Sequence, residues 1–327
     1  MATIKRGLLL LTASAVALIL AEVVVRVGGL APEVAFLSVG RFQLSEDPRI
    51  GYEPIPDFDY QGDDLFYYEF RGGSNRAGFR GPDPSPDPEY RVVALGDSIT
   101  MGLRIEDDAE LYTHHLAQAL DVEVLNFGVS GYNTPQEVAT LETRALHLQP
   151  DLVLLQYCLN DRQQMNGGIV KRLQEAEAAS VVDTNQLGRS ALSKSELWLF
   201  LRFAVFREGL QVERGERRRA LEELAKDGVE EGFHELARLG AEHGFAVLVV
   251  VFPRLLGESE AEHREYATLQ GYADDAGLEF LLLDDAMELC RQEQGEIALD
   301  YLHPNAAGHR CAAEAIAPRI AELRRAP

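Results

Sequence analysis

Five short, largely apolar runs most constrain what this chain can become: residues 92–95, 122–127, 151–157, 246–252 and 278–283. A strand wetted on one face alternates apolar and polar residues, whereas a strand covered on both faces reads as a near-continuous apolar run. Helical stretches lie between and after the runs, at about 107–120, 134–148, 211–242 and 304–323. Thr134 is placed to cap the second of these, with Pro135 at its first position. Buried strands alternating with helices predict an α/β fold, a parallel five-stranded sheet between two helical layers. A chain of 327 residues, 46% of them hydrophobic, can fill such a core as one large domain.

In a flavodoxin-like strand order, 2-1-3-4-5, the ligand crevice opens at the carboxyl edge between the first and third strands. Three strand ends would meet there. The first delivers Gly96-Asp97-Ser98-Ile99-Thr100, the second Asn126-Phe127-Gly128-Val129-Ser130-Gly131, and the third Cys158-Leu159-Asn160-Asp161. Near the other end of the chain sits Asp300-Tyr301-Leu302-His303-Pro304. These residue types suit acyl transfer. Ser98 supplies a hydroxyl nucleophile, His303 a base for its proton, and Asp300 a carboxylate to orient the ring. A tetrahedral intermediate needs preplaced donors for its oxyanion. The amide of Ser98, the amide of Gly128 (no Cβ hinders approach) and the side-chain NH₂ of Asn160 are the donors expected. Asp97 reads as a loop-fixing acceptor, Ser130 as a turn-stabilising hydroxyl, and His309 as a packed helix residue. Asp161 is placed either to orient Asn160 or to hold an insertion. Asn75-Arg76-Ala77-Gly78-Phe79-Arg80-Gly81 reads as support for the pocket rim.

On these blocks the chain resembles the SGNH (GDSL-type) hydrolases. The likeness spans about residues 91–323, with Gly308-His309 following the last block. It implies a flavodoxin-like three-layer α/β/α sandwich and ester hydrolysis by Ser98, His303 and Asp300. It also implies an oxyanion hole of Ser98, Gly128 and Asn160, with no metal and no cofactor. One departure stands out: Cys158 occupies the position of the family's usual glycine before Asn160.

Outside the sheet the chain divides into an N-terminal segment (1–29), an irregular lead-in (30–90) and the hydrolase domain (91–327) with an insertion at about 163–206. Lys5 and Arg6 precede an apolar stretch broken only by Glu22 and closed by Arg26. Counted through Gly29, it reaches the ~20 residues a bilayer span needs. No good cleavage site follows its core, so an uncleaved signal-anchor is favoured over a cleaved signal peptide. The basic flank puts the catalytic domain outside the cytoplasm, in a bacterial-type cell envelope, or makes it secreted if the segment is cut. The insertion carries the only tryptophan, Trp198, and reads as a lid or substrate wall, or as a helix packed on the core. Cys290 and Cys311 can pair in an oxidising compartment.

A net charge of −22 argues against nucleic acid as a partner. The expected substrate is a small-molecule or glycan ester. Three other functions compete with an esterase: a carbohydrate O-acyltransferase using the same site, a metal-dependent phosphoesterase, and a non-catalytic glycan-binding scaffold on the membrane.

Overall fold

The computed structural model describes residues 2–162, 167–179, 181–187, 191–205, 228–257 and 260–325. Helix α1 (Ala2–Gly28) leads into short strands β1 (Glu33–Ala35), β2 (Phe42–Leu44), β3 (Tyr52–Pro54) and β4 (Asp59–Tyr60), one helical turn α2 (Leu65–Tyr68), and β5 (Gly72–Gly73). The hydrolase domain follows as β6 (Arg91–Gly96), α3 (Ser98–Met101), α4 (Tyr112–Leu120), β7 (Glu123–Gly128), α5 (Thr134–Thr140) and β8 (Leu152–Tyr157). Then come α6 (Gly167–Ala178), β9 (Val181–Asp183), α7 (Glu196–Leu199), α8 (Val229–His243), β10 (Ala246–Val251), α9 (Glu260–Ala276), β11 (Glu279–Leu282), α10 (Asp284–Gln294) and α11 (Ala306–Arg325).

The central sheet runs β11-β10-β8-β6-β7, all parallel, which is the expected 2-1-3-4-5 order. Alternate residues of each strand point to opposite faces. Val93, Leu95, Val153, Leu155, Val249 and Val251 pack with Val138, Phe233 and Leu269 on one side. Val92, Leu152, Leu154, Leu248 and Val250 pack with Leu116, Met287 and Ile316 on the other. Both faces are therefore dry through the middle of the sheet, and the buried polar strand residues Asn126 and Gln156 lie toward its carboxyl edge. Gly96 pairs with Gly128, and Val251 with Tyr157, so the strands end at one level.

Several local readings shift. The cap of α5 is Asn133, one position early, in a reciprocal capping box with Gln136. The hydroxyl of Thr134 is thereby free to donate to Asp161. The stretch read as one helix to residue 148 is helical only to Thr140. It continues as a wider turn, Leu141–Ala145, and a tight one, Leu146–Leu148. Thr143 hydrogen bonds back to the Ala139 carbonyl at 2.8 Å, a contact that bends helices. Pro304 does not open the last helix; it bridges to Ala298, and Asn305 caps α11 through the Gly308 amide. Of the helical stretch expected at 211–242, residues 211–227 lie outside those described, as do 163–166, 180, 188–190 and 206 of the insertion.

The lead-in is irregular, yet it enters the core through Phe42, Ile50, Tyr52 and Phe79. The insertion is stitched to it. β9 pairs in parallel with β1, and Asp183 accepts the Leu37 amide at 3.2 Å. Val170 and Leu173 of α6 join the main core. The described part of the insertion is thus a bound layer rather than a free flap.

Cys290 and Cys311 form a disulfide that joins α10 to α11, and Cys158 is a buried free thiol. Closing a loop across 21 positions is worth about 3 kcal/mol through the unfolded state. Thiol titration of the denatured, unreduced protein is therefore expected to find one thiol per chain, and reduction to lower Tm. Three thiols, or an unchanged Tm, would contradict the pairing.

Candidate active site

Gly96 lets the chain turn sharply out of β6, because a Cβ there would lie 2.2 Å from Thr100 Oγ1 and 2.4 Å from Gln156 Oε1. Asp97 caps the next turn by accepting the Ile99 amide at 2.9 Å. Ser98 then opens α3 with its hydroxyl aimed across the sheet edge. Its Oγ lies 2.8 Å from His303 Nε2. His303 Nδ1 lies 2.9 Å from both oxygens of Asp300. The same carboxylate accepts the amides of Leu302 and His303 at 2.9 Å, closing the turn that carries the ring. Burial alone would raise the Asp300 pKa. The two amides and the adjoining imidazole outweigh it and hold the carboxylate below its usual range. Asp300 is therefore an ionised acceptor for the ring at neutral pH.

Of the three donors expected for an oxyanion, one has its amide already engaged. Gly128 does not offer its amide to the cleft; it donates to Asn126 Oδ1 at 2.9 Å. Its missing side chain serves another contact, since a Cβ would lie 2.2 Å from the Met101 amide nitrogen and 2.6 Å from the Thr100 carbonyl carbon. The glycine lets β7 approach the nucleophile turn, not the substrate. Three residues on, Gly131 is half-buried with φ +75°, a left-handed conformation that favours glycine. Its amide has no acceptor among the described residues. Asn160 is tied to the Ser98 turn through Asp97. One N–H of its side chain donates to Asp97 Oδ2 at 2.7 Å, leaving the second free.

Asp97 thus does more than fix its own loop, because it ties the nucleophile turn to Asn160. Cys158 joins the same cluster, with its Sγ 2.6 Å from Asn160 Oδ1 and 3.3 Å from Asp97 Oδ2. Burial, then the nearby carboxylates of Asp97 and Asp161, push the thiol pKa up. Cys158 is therefore a neutral donor and not a second nucleophile. Among the described residues, the Asp161 side chain bonds neither the Asn160 side chain nor the insertion. Its carboxylate accepts the Cys158 amide at 2.9 Å and the Thr134 hydroxyl at 3.0 Å.

Behind the nucleophile, Asn126 donates to the Thr100 carbonyl at 2.6 Å. Gln156 Oε1 accepts from the amides of Asp97 and Thr100 at 3.2 Å and from the Thr100 hydroxyl at 2.8 Å. The motif at residues 75–81 supports this turn more directly than a rim would. Asn75 folds its loop by accepting the amides of Ala77 and Phe79. The side chain of Arg80, 1% exposed, donates to the carbonyls of Met101, Gly102 and Ile105 and pairs with Asp108 at 2.6 Å. These are the carbonyls that close α3 and the loop after it, so Arg80 holds the far end of the nucleophile turn. His309 packs as expected. It is buried against Tyr112 and accepts that residue's amide at 3.2 Å. Burial, with Arg80 nearby, drops its pKa to about 3, so it is neutral.

Glu69 carried no sequence signal. It belongs to the lead-in, has φ +67°, and its carbonyl accepts the Arg104 amide just beyond α3. Its carboxyl lies beside the Ser130 side chain, while Tyr52 donates to the Ser130 carbonyl at 2.6 Å. The lead-in therefore braces the loop that presents Gly131. A non-glycine residue in left-handed conformation costs of order 1–3 kcal/mol and marks a place held by its surroundings. A cleft of about 630 Å³ lies along the outer edge of β7 by Asn75, His114 and Leu148, and Ser98, Asn160, Asp300 and His303 do not line it.

A family model for GDSL-like lipases/acylhydrolases matches residues 94–311. The match takes in the Ser98 turn, the loop after β7, Asn160, Asp300 and His303. The chain belongs to this family and is a hydrolase of ester bonds. Comparison with curated proteins gives no match. Among solved structures it is similar to the acetyl xylan esterase AlAXEase, at 16% identity, 70% of this chain and 99% of that one, TM-score 0.43. It is also similar to the acetylxylan esterase Axe2 of Geobacillus stearothermophilus, at 16%, 71% and 94%, TM-score 0.42. A two-domain esterase active on acetylated mannans is 18% identical, over 73% of this chain and 50% of that one, TM-score 0.44. The family assignment rests on the sequence match.

Burial, opposed by Ser130 and Arg41, raises the Glu69 pKa from 4.5 to about 7. Between those values the unfolded chain carries the charge while the folded one keeps the proton, so this residue's contribution to stability falls as pH rises through the window. A Glu69→Gln variant is expected to gain Tm relative to the parent between pH 4.5 and 7, with a plateau above. A Tm difference independent of pH would overturn this assignment.

Proposed function

We propose that the protein is an extracytoplasmic serine esterase, held to a membrane by α1, that cleaves acyl or O-acetyl esters of a small molecule or glycan through an acyl-enzyme. The observation that carries the reading is the unbroken line from Ser98 Oγ through the His303 ring to Asp300, at 2.8 and 2.9 Å. Ser98 attacks the ester carbonyl while His303 Nε2 takes its proton. Asp300 keeps Nδ1 protonated and stabilises the imidazolium. The oxyanion is received by the amide of Ser98, the free N–H of Asn160 and the amide of Gly131, which takes the place expected of Gly128. The intermediate collapses, His303 returns the proton to the departing alcohol, and water, deprotonated by His303, releases the acid.

The location rests on three observations. Leu9–Gly28 is 20 residues long with mean hydropathy 2.1 and is almost wholly exposed in the folded chain. Lys5 and Arg6 flank its start. A disulfide belongs in an oxidising compartment.

In a panel of aryl esters and acetylated sugars, Ser98→Ala is expected to lose activity by roughly 10⁴-fold or more, together with labelling by a fluorophosphonate. Retained labelling would remove the nucleophile assignment. Asn160→Ala should lower kcat and kcat/KM together by about 10²–10³-fold. A rise in KM at constant kcat would make it a ground-state binding residue instead.

A further inference from the structure

The acidic side chain in the apolar helix is spent on the insertion. Glu22 of α1 accepts the Ser195 hydroxyl at 2.7 Å and the amides of Leu197 and Glu196 at 2.9 and 3.1 Å. It therefore supplies acceptors to the first amides of α7, which that short helix cannot satisfy itself. Arg26, one turn on, closes on Glu22 at 2.7 Å and lies 3.7 Å from Glu196. These bonds fix the level at which α7 meets α1. Glu22 lies six residues before the helix ends at Gly28, or about 9 Å at 1.5 Å per residue. Val23, Val24 and Val27 lie beyond it and are exposed on α1. If α1 spans a bilayer, its apolar surface continues past the level of α7.

What α7 presents at that level is apolar. The run Leu197-Trp198-Leu199-Phe200-Leu201-Arg202-Phe203-Ala204-Val205 holds one charged residue. Leu199 is buried; Trp198, Phe200 and Phe203 are half-buried, and Leu201 and Val205 are exposed. The Arg202 guanidinium lies 4.9 Å from both the Trp198 and Phe203 rings. Such a cation stacked on aromatic faces suits the boundary between acyl chains and head groups, where tryptophan concentrates. A net charge of −22 excludes attraction to anionic lipid as the driving force, so the contact must be apolar.

We propose that residues 195–205 form a second membrane contact, lying in the interface of the bilayer that α1 crosses. The proposal rests on the reading of α1 as an anchor and extends it. Because β9 of the insertion pairs with β1, only four residues beyond α1, the contact would hold the hydrolase domain at a fixed tilt on the membrane.

Trp198 is the sole tryptophan, so its fluorescence reports this segment alone. The full chain is reconstituted into phosphatidylcholine vesicles, floated, and compared with vesicles whose lipids carry bromine at the upper acyl positions. The expected result is flotation in both, Trp198 emission at least halved by brominated lipid, little quenching by aqueous iodide, and no dependence on salt. A Glu22→Leu variant, whose helix is more apolar, should float equally and lose most of the brominated-lipid quenching. Protein that fails to float overturns the anchor and this proposal with it. Protein that floats while Trp198 ignores brominated lipid overturns this proposal alone, whether iodide reaches the ring or a protein contact shields it.

Discussion

The buried carboxylate of Asp97 is the interaction on which the site depends. One oxygen caps the turn that carries Ser98, and the other holds the amide of Asn160, 63 positions away. Ser98 and Asn160, the proposed nucleophile and oxyanion donor, are thereby set by one group at the end of β6. Two hydrogen bonds to one buried carboxyl group fix the two segments relative to each other. The thiol of Cys158 adds a donor to the same cluster. It occupies a place where the family's usual glycine would leave space, so this chain orients Asn160 from both ends of its amide. The departure at 158 thus changes how the asparagine is held, not whether it is present.

Support for that cluster comes from outside the sheet. Arg80 ties off the carbonyls beyond α3, and Glu69 and Tyr52 brace the loop around Ser130. All three side chains belong to the lead-in. A loop that must present a backbone amide to a developing charge gains from such bracing, since its preorganisation is what lowers the barrier. The lead-in is in turn paired to the insertion through β1 and β9. The site, the lead-in and the insertion form one mechanical path that ends at α1.

The sheet order, the ester chemistry and the three residues in line at the edge were legible because each rests on local pattern. Unbroken apolar runs mark doubly buried strands, and Ser98, Asp300 and His303 sit in short motifs at their ends. The engagement of the Gly128 amide was not legible. It depends on the Asn126 side chain, and the need for glycine there on how closely β7 packs against Thr100 and Met101. The β1–β9 pairing joins segments about 150 positions apart through three residues each, too few for a strand signal. Helices α9 and α10 carry acidic sequence with few core residues, Tyr266, Leu269 and Ala273 in one and Met287 and Cys290 in the other, so their apolar period is faint.

A crystal structure of the Ser98 phosphonate adduct tests the account most directly, because the adduct's phosphoryl oxygen stands where the oxyanion forms. Our account places that oxygen within hydrogen-bond distance of the Ser98 amide, the Gly131 amide and Asn160 Nδ2, with the Gly128 amide still on Asn126. An oxygen held by the Gly128 amide, or turned away from Asn160, would contradict it.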